Sequence, residues 1–243
     1  MHLTQGTLDT STTLLTSAGG AIALAAAFYG ARKQLPAKKV PALLGMSAFV
    51  FLAQMVNCSI GFGFSGHLVG ASLLAIFFGP SVTMLSMAAI LALQVGFLGD
   101  GSWSTLGANF INMGVVAPWV AYGCFRLLQG RRAPQLDVAQ VGTLAFASFI
   151  SIMAASLSVS VMLGGSIAHL LFAGTVWGLL ESAIAVAVFA LCVRSQSRNY
   201  VETGRLALRP LVALACVTLC LLPFSSQQPD GLEHALEMAQ LSD

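Results

Sequence analysis

The chain has 243 residues, 57% of them hydrophobic and 8% charged, with a net charge of +2 and a mean hydropathy of +0.85. A soluble domain carries roughly 25% charged residues, so this composition excludes a disordered chain, a nucleic-acid binder and a conventional soluble enzyme. What remains is an integral protein of a lipid bilayer, with length for six to eight helical spans of ~20 residues each.

The first residues, Met1-His2-Leu3-Thr4-Gln5-Gly6, lack the basic stretch of a cleavable signal peptide, and none is expected. Apolar stretches then place spans at 14–31, 41–60, 68–78, 81–98, 106–128, 138–163, 167–193 and 206–223. The third is too short to cross ~30 Å of hydrocarbon. It is divided from the fourth by Gly79-Pro80, which predicts a short helix, a tight turn and a returning helix. Ladders of small residues at four-residue spacing, Gly19-Ala23-Ala27-Ala31, Ala71-Ala75-Gly79 and Gly174-Gly178-Ser182, predict close helix packing.

Charge decides the topology. All eleven Lys and Arg residues fall in 32–39, 126–132, 194–198 and 205–209. A turn at Gly79-Pro80 brings these loops to one side, which the positive-inside rule makes cytoplasmic. The N-terminus, the loops at 58–67 and 99–104, the turn at 164–166 and the C-terminal tail are then outside. His2, His67, His169 and His234 lie at that outer face, with six of the nine acids (Asp9, Asp100, Asp230, Glu233, Glu237, Asp243) and no basic residue. Such a face attracts cations.

Signatures of soluble enzymes are absent: there is no phosphate-binding P-loop, zinc-protease helix or serine nucleophile elbow. The five cysteines sit in apolar runs without C-x-x-C spacing and read as packing residues. Glu181, inside the seventh span, is a functional candidate because an intramembrane acid is costly.

The sharper signal is His2. A free amine on Met1, the His2 amide nitrogen and the His2 imidazole form fused five- and six-membered chelate rings, giving three nitrogen donors nearly in a plane. That donor set favours Ni(II), Cu(II) or Co(II) over zinc, magnesium or calcium. His67 is the natural fourth donor. It ends Gly61-Phe62-Gly63-Phe64-Ser65-Gly66-His67, whose glycines let an outer loop fold inward.

At these residues the chain resembles the substrate-binding (S) components of cobalt and nickel energy-coupling-factor (ECF) transporters, the CbiM/NikM family. The matching segments are Met1-His2-Leu3-Thr4-Gln5-Gly6, Gln54-Met55-Val56-Asn57, Ser65-Gly66-His67-Leu68-Val69-Gly70, Gly79-Pro80, Gly99-Asp100-Gly101, Leu106-Gly107-Ala108-Asn109 and Asn112-Met113-Gly114-Val115. The resemblance implies an all-α membrane bundle: a six-helix core with one extra N-terminal helix, in residues 1–193. Residues 194–243 add a linker, one further span and a tail, Pro229-Asp230-Gly231-Leu232-Glu233, that resembles the outer loop of the small N component. It implies a square-planar site made by Met1, His2 and His67. Asn57, Ser65, Asn109 and Asn112 match polar positions of the family that would orient those ligands. Asp100 and Glu181 are accessory candidates.

The expected function is therefore capture of a divalent transition metal, nickel first and cobalt next, as transported substrate in the cell (inner) membrane. ATP hydrolysis would come from separate ATPase chains, reached through a membrane coupling (T) component, with a separate N-type subunit as a further candidate partner. A membrane metalloenzyme using the same metal, or a passive channel or structural bundle, are the alternatives. The enzyme reading lacks a general base beside the metal, and four nitrogens leave little Lewis acidity for substrate.

Overall fold

The computed structural model describes residues 2–59, 65–130, 132, 135–164, 167–194, 208–226, 228 and 232. Among them the chain forms eight helices: α1 (Thr10–Gln34), α2 (Val40–Gln54), α3 (Ala71–Phe78), α4 (Pro80–Leu98), α5 (Leu106–Gln129), α6 (Val138–Leu163), α7 (Ile167–Arg194) and α8 (Leu208–Leu221). Five of these, α1, α4, α5, α6 and α7, are long and apolar enough to cross a membrane, and the shorter α2, α3 and α8 pack among them. Their outward side chains, among them Leu15, Phe28, Phe97, Leu127 and Val161, are exposed and apolar, as lipid contact requires. The protein is a multi-pass membrane bundle.

Gly79 makes the predicted turn. Its φ of 87° is open to glycine and strained for other residues. Pro80 then sets the first turn of α4, where its missing N–H costs nothing. α3 has eight residues, all buried, so it ends inside the bundle rather than crossing it. The topology inferred from charge has a physical counterpart at the basic end. Lys39, between α1 and α2, is held below its ordinary pKa, first by burial and then by the charges of Lys38 and Arg126. Arg126 ends α5, so the first basic loop and the one after α5 share one side.

The second apolar stretch departs from expectation. It was expected to run to residue 60, but α2 stops at Gln54 and the chain becomes the strand β1 (Cys58–Ser59), antiparallel to β2 (Ser65–Gly66). The backbone groups that a longer helix would have satisfied find partners in the C-terminal segment: the Asn57 N–H donates to Ser225 Oγ (2.9 Å), and the Ser226 N–H donates to the Asn57 carbonyl (2.7 Å).

The small-residue ladders pack within the bundle. Gly174 faces Ser156, Gly178 faces Phe149 and Ile152, and Ser182 donates to the Ala145 carbonyl, joining α7 to α6. Ser151 of α6 donates to Ala117 of α5. Along α1, Ala27 and Ala31 of the expected ladder are buried but Gly19 and Ala23 are only half-buried; Thr16 and Gly20 are the buried residues there, and Gly20 meets the backbone of Gly107 in α5. Two stretches are π-helical: Gln94–Leu98 at the end of α4 and Phe110–Val116 within α5. Both flank the segment 99–109, and wide turns of this kind gather at functional sites.

Candidate metal site

The N-terminal segment enters the bundle and is held by its third residue. The Leu3 N–H donates to Asn109 Oδ1 (2.8 Å), and the Leu3 carbonyl accepts from Asn109 Nδ2 (3.0 Å) and from Thr105 Oγ1 (2.6 Å). The Leu3 side chain is buried against Ala108, Val159, Leu170 and Leu232. Three polar bonds and an apolar anchor thus fix the backbone next to His2.

His2 and His67 come together. Each is 5% exposed, and their rings stack with centroids 5.1 Å apart and planes 21° from parallel. His67 Nδ1 lies 3.2 Å from the Leu68 carbonyl. A carbonyl only accepts, so the tautomer that makes this bond carries its proton on Nδ1 and its lone pair on Nε2. Asp100 Oδ1 lies 3.4 Å from His2 Nδ1, bringing a carboxylate to the first imidazole. Among the described residues no three His, Cys, Asp or Glu side chains converge, so a site here needs donors beyond side chains. Met1 lies outside the described residues, as do residues 60–64, Asp230, Glu233, His234 and Glu237 and the side chain of His169.

The other sequence candidates divide. Asn109 is at the site, clamping Leu3. Ser65 donates to the carbonyl of Gln228, and Ser59 to the Gln228 side chain, so the β-hairpin beside His67 is tied to the C-terminal segment. Asn57 serves that same segment through its backbone. Asn112 lies one turn below Asn109, fully buried, and its amide has no hydrogen-bond partner among the described residues. Glu181 is fully buried and accepts the N–H groups of Val69 and Gly70 at the N-terminus of α3, where the helix dipole favours an anion. Sequence reasoning missed Thr105, which resembles any loop threonine, and Gln54. A glutamine near the end of an apolar run was the available signal.

The sequence pattern of the family described as cobalt uptake substrate-specific transmembrane region (CbiM) matches residues 2–198. Among similar curated proteins, one of Archaeoglobus fulgidus, named as a fused nickel transport protein, NikMN, is 30% identical over 90% of this chain and 75% of its own. A cobalt transport protein CbiM of Chlorobium limicola is 29% identical over 82% of each chain. A crystal structure of a transition metal transporter superposes with a TM-score of 0.72 at 29% identity, over 84% of this chain and 97% of that one.

Proposed function

The chain belongs to the CbiM family of cobalt uptake transmembrane regions, and from that premise we propose that it is the subunit that captures a divalent transition metal for uptake, nickel first and cobalt next. The metal is substrate, held in a plane by the Met1 amine, the His2 amide nitrogen, the His2 imidazole and the His67 imidazole. One observation carries this reading: two imidazoles 65 positions apart in the chain, both buried, stack at 5.1 Å beside a backbone pinned at Leu3. Nickel ranks first because the similarity to the fused nickel transporter extends over 90% of this chain.

The surrounding residues have assignable work. The Leu3 clamp orders the chelating peptide before the metal arrives, so less entropy is lost on binding. Asn57, Ser65 and Asn112 line or brace the same outer end. Binding displaces the amide proton of His2, which leaves a divalent ion with one negative ligand and a residual charge of about +1. The carboxylate of Asp100, 3.4 Å from His2 and partly exposed to solvent, offsets part of that charge. Energy for uptake would come from separate ATPase chains through a membrane coupling component, and the tail 229–233 would act as the counterpart of an N-type subunit.

The test is metal content and magnetism of protein purified with its native N-terminus. One nickel per chain is expected, low-spin and diamagnetic, because four nitrogen donors in a plane split the d-orbitals widely. One residue added before Met1 should abolish binding by turning the amine into an amide, and His67→Ala should do the same in folded protein. Paramagnetic nickel, or full occupancy in either variant, would refute the ligand set.

A further inference from the structure

A chain of buried hydrogen bonds joins the backbone after His67 to the loop that reaches His2. Val69 follows His67 by two residues, in the non-helical backbone that leads into α3. Its N–H donates to Glu181 Oε2 at 2.9 Å, and the next N–H, of Gly70, donates to Oε1 at 3.1 Å. Its carbonyl accepts from Gln54 Nε2 at 2.7 Å. Gln54 Oε1 accepts from Gln94 Nε2 at 2.9 Å, and the Gln94 carbonyl accepts the Asp100 N–H at 3.2 Å. Glu181, Gln54 and Gln94 are each at most 1% exposed. The circuit crosses from α7 to α2 to α4 and ends on the residue whose carboxylate faces His2.

A helix cap alone does not account for this arrangement. A serine or asparagine just before α3 would satisfy its first N–H groups without burying a carboxylate. That position is instead Gly70, with φ 72°, and the acceptor comes from a different helix. The Val69–Gly70 peptide is held on both sides, its Gly70 N–H by Glu181 Oε1 and its Val69 carbonyl by Gln54 Nε2, while Glu181 Oε2 takes the Val69 N–H of the preceding peptide. Together they fix the plane of a peptide two residues from His67, which a single cap bond does not do. Gln94 then refers that plane to the His2 side of the pocket.

We propose that Glu181 is a positioning residue for metal capture: with Gln54 it clamps the Val69 peptide and thereby sets the His67 imidazole against His2. The proposal rests on the four-nitrogen reading above. Glu181 touches no metal in it and acts through the backbone.

The experiment uses full-length protein with its native N-terminus, in detergent, loaded with nickel chloride. Glu181→Gln keeps the volume but offers one acceptor where two N–H groups converge. Nickel release should become roughly 10- to 100-fold faster, the range seen when groups that orient metal ligands are removed, and the ligand-field band should shift. Gln54→Leu should do the same, and the double variant should release nickel no faster than the worse single variant. Ser182→Ala is the structural control. It removes the bond from α7 to the Ala145 carbonyl of α6 and, within α7, the bond to the Gly178 carbonyl, and should lower the unfolding temperature while leaving release and band unchanged. Wild-type release and an unmoved band in both Glu181→Gln and Gln54→Leu would overturn the proposal while the four-nitrogen site stands. Equal acceleration by Ser182→Ala would overturn it too, by making the effect one of general stability. Paramagnetic nickel in the wild type would instead remove the site reading itself.

Discussion

Replacing Asn109 by alanine isolates the contribution of the Leu3 clamp to metal affinity. The variant removes the acceptor of the Leu3 N–H and one of two donors to the Leu3 carbonyl. The carbonyl keeps Thr105 at 2.6 Å, so its loss is about 1 kcal/mol, a typical net hydrogen bond. The N–H is left buried without a partner, which costs about 1–3 kcal/mol. The sum is about 2–4 kcal/mol against the docked segment, or roughly 30- to 700-fold in its equilibrium at 1.4 kcal/mol per decade. In the proposed four-nitrogen site, apparent affinity falls with the docked fraction, because the undocked segment would lack the fourth nitrogen. Thr105→Val removes one bond and leaves the carbonyl with Asn109, so it should cost about 1 kcal/mol, near fivefold. The assay is competition for nickel against a chromophoric chelator, with both variants purified in detergent on an unmodified N-terminus. Asn109→Ala within twofold of wild type, or no weaker than Thr105→Val, would refute the clamp.

Two further outcomes follow from the packing. A methyl group on Gly107 would sit 2.5 Å from the Cα of Ser17 and 2.8 Å from its nitrogen, and backbone cannot swing aside. Gly107→Ala should therefore cost about 1–3 kcal/mol and weaken metal binding by displacing α1. Gly123→Ala meets nothing within 4 Å and should be neutral or stabilising, both read by thermal unfolding in detergent. Asp9 caps α1, and hydrogen bonds from the Ser11 hydroxyl and then from Thr12 hold its carboxyl well below the usual carboxylate range. A lowered folded-state pKa means its stabilisation is complete above the ordinary value of 3.8 and is lost only as pH falls through the depressed one. Amide exchange in the first turn of α1 should stay slow at pH 4 in the wild type and be fast at every pH in Asp9→Ala.

What could be read in the sequence was local chemistry. Gly79-Pro80 announces its turn because the backbone there needs a positive φ and a helix start without an N–H. The chelate proposed at His2 is suggested by donors adjacent along the chain, and the charge pattern orders the loops because lipid penalises every buried Lys or Arg. Apart from the His2–His67 pair, distant pairing was invisible. Thr105 finds Leu3 more than a hundred residues away, and nothing in its own neighbourhood marks it; Asn109 is marked by its motif, but its partner Leu3 is not. Gln54 and Glu181 are isolated polar residues in apolar runs, so the sequence flagged a cost at Glu181 and not the Val69 peptide that repays it. The early end of α2 was hidden for the same reason, since its replacement partners, Ser225 and Ser226, lie at the far end of the chain.

The π-helical stretch in α5 separates two tasks that a regular helix would bind together. Below it, Ala117 and Ala121 are fixed in the bundle, Ala117 by the serine of α6 that bonds its carbonyl. Above it, Asn109 must point at Leu3. Each residue of an α-helix advances the face by about 100°, so the extra residue of a wide turn acts as an angular offset between the two halves. The upper half is aimed at the incoming peptide without re-cutting the lower half's contacts. Regular α winding over the same seven residues would swing Asn109 by about that angle, away from the peptide it holds. The winding of this stretch, and not its side chains alone, is thereby part of the recognition code for the segment at Leu3.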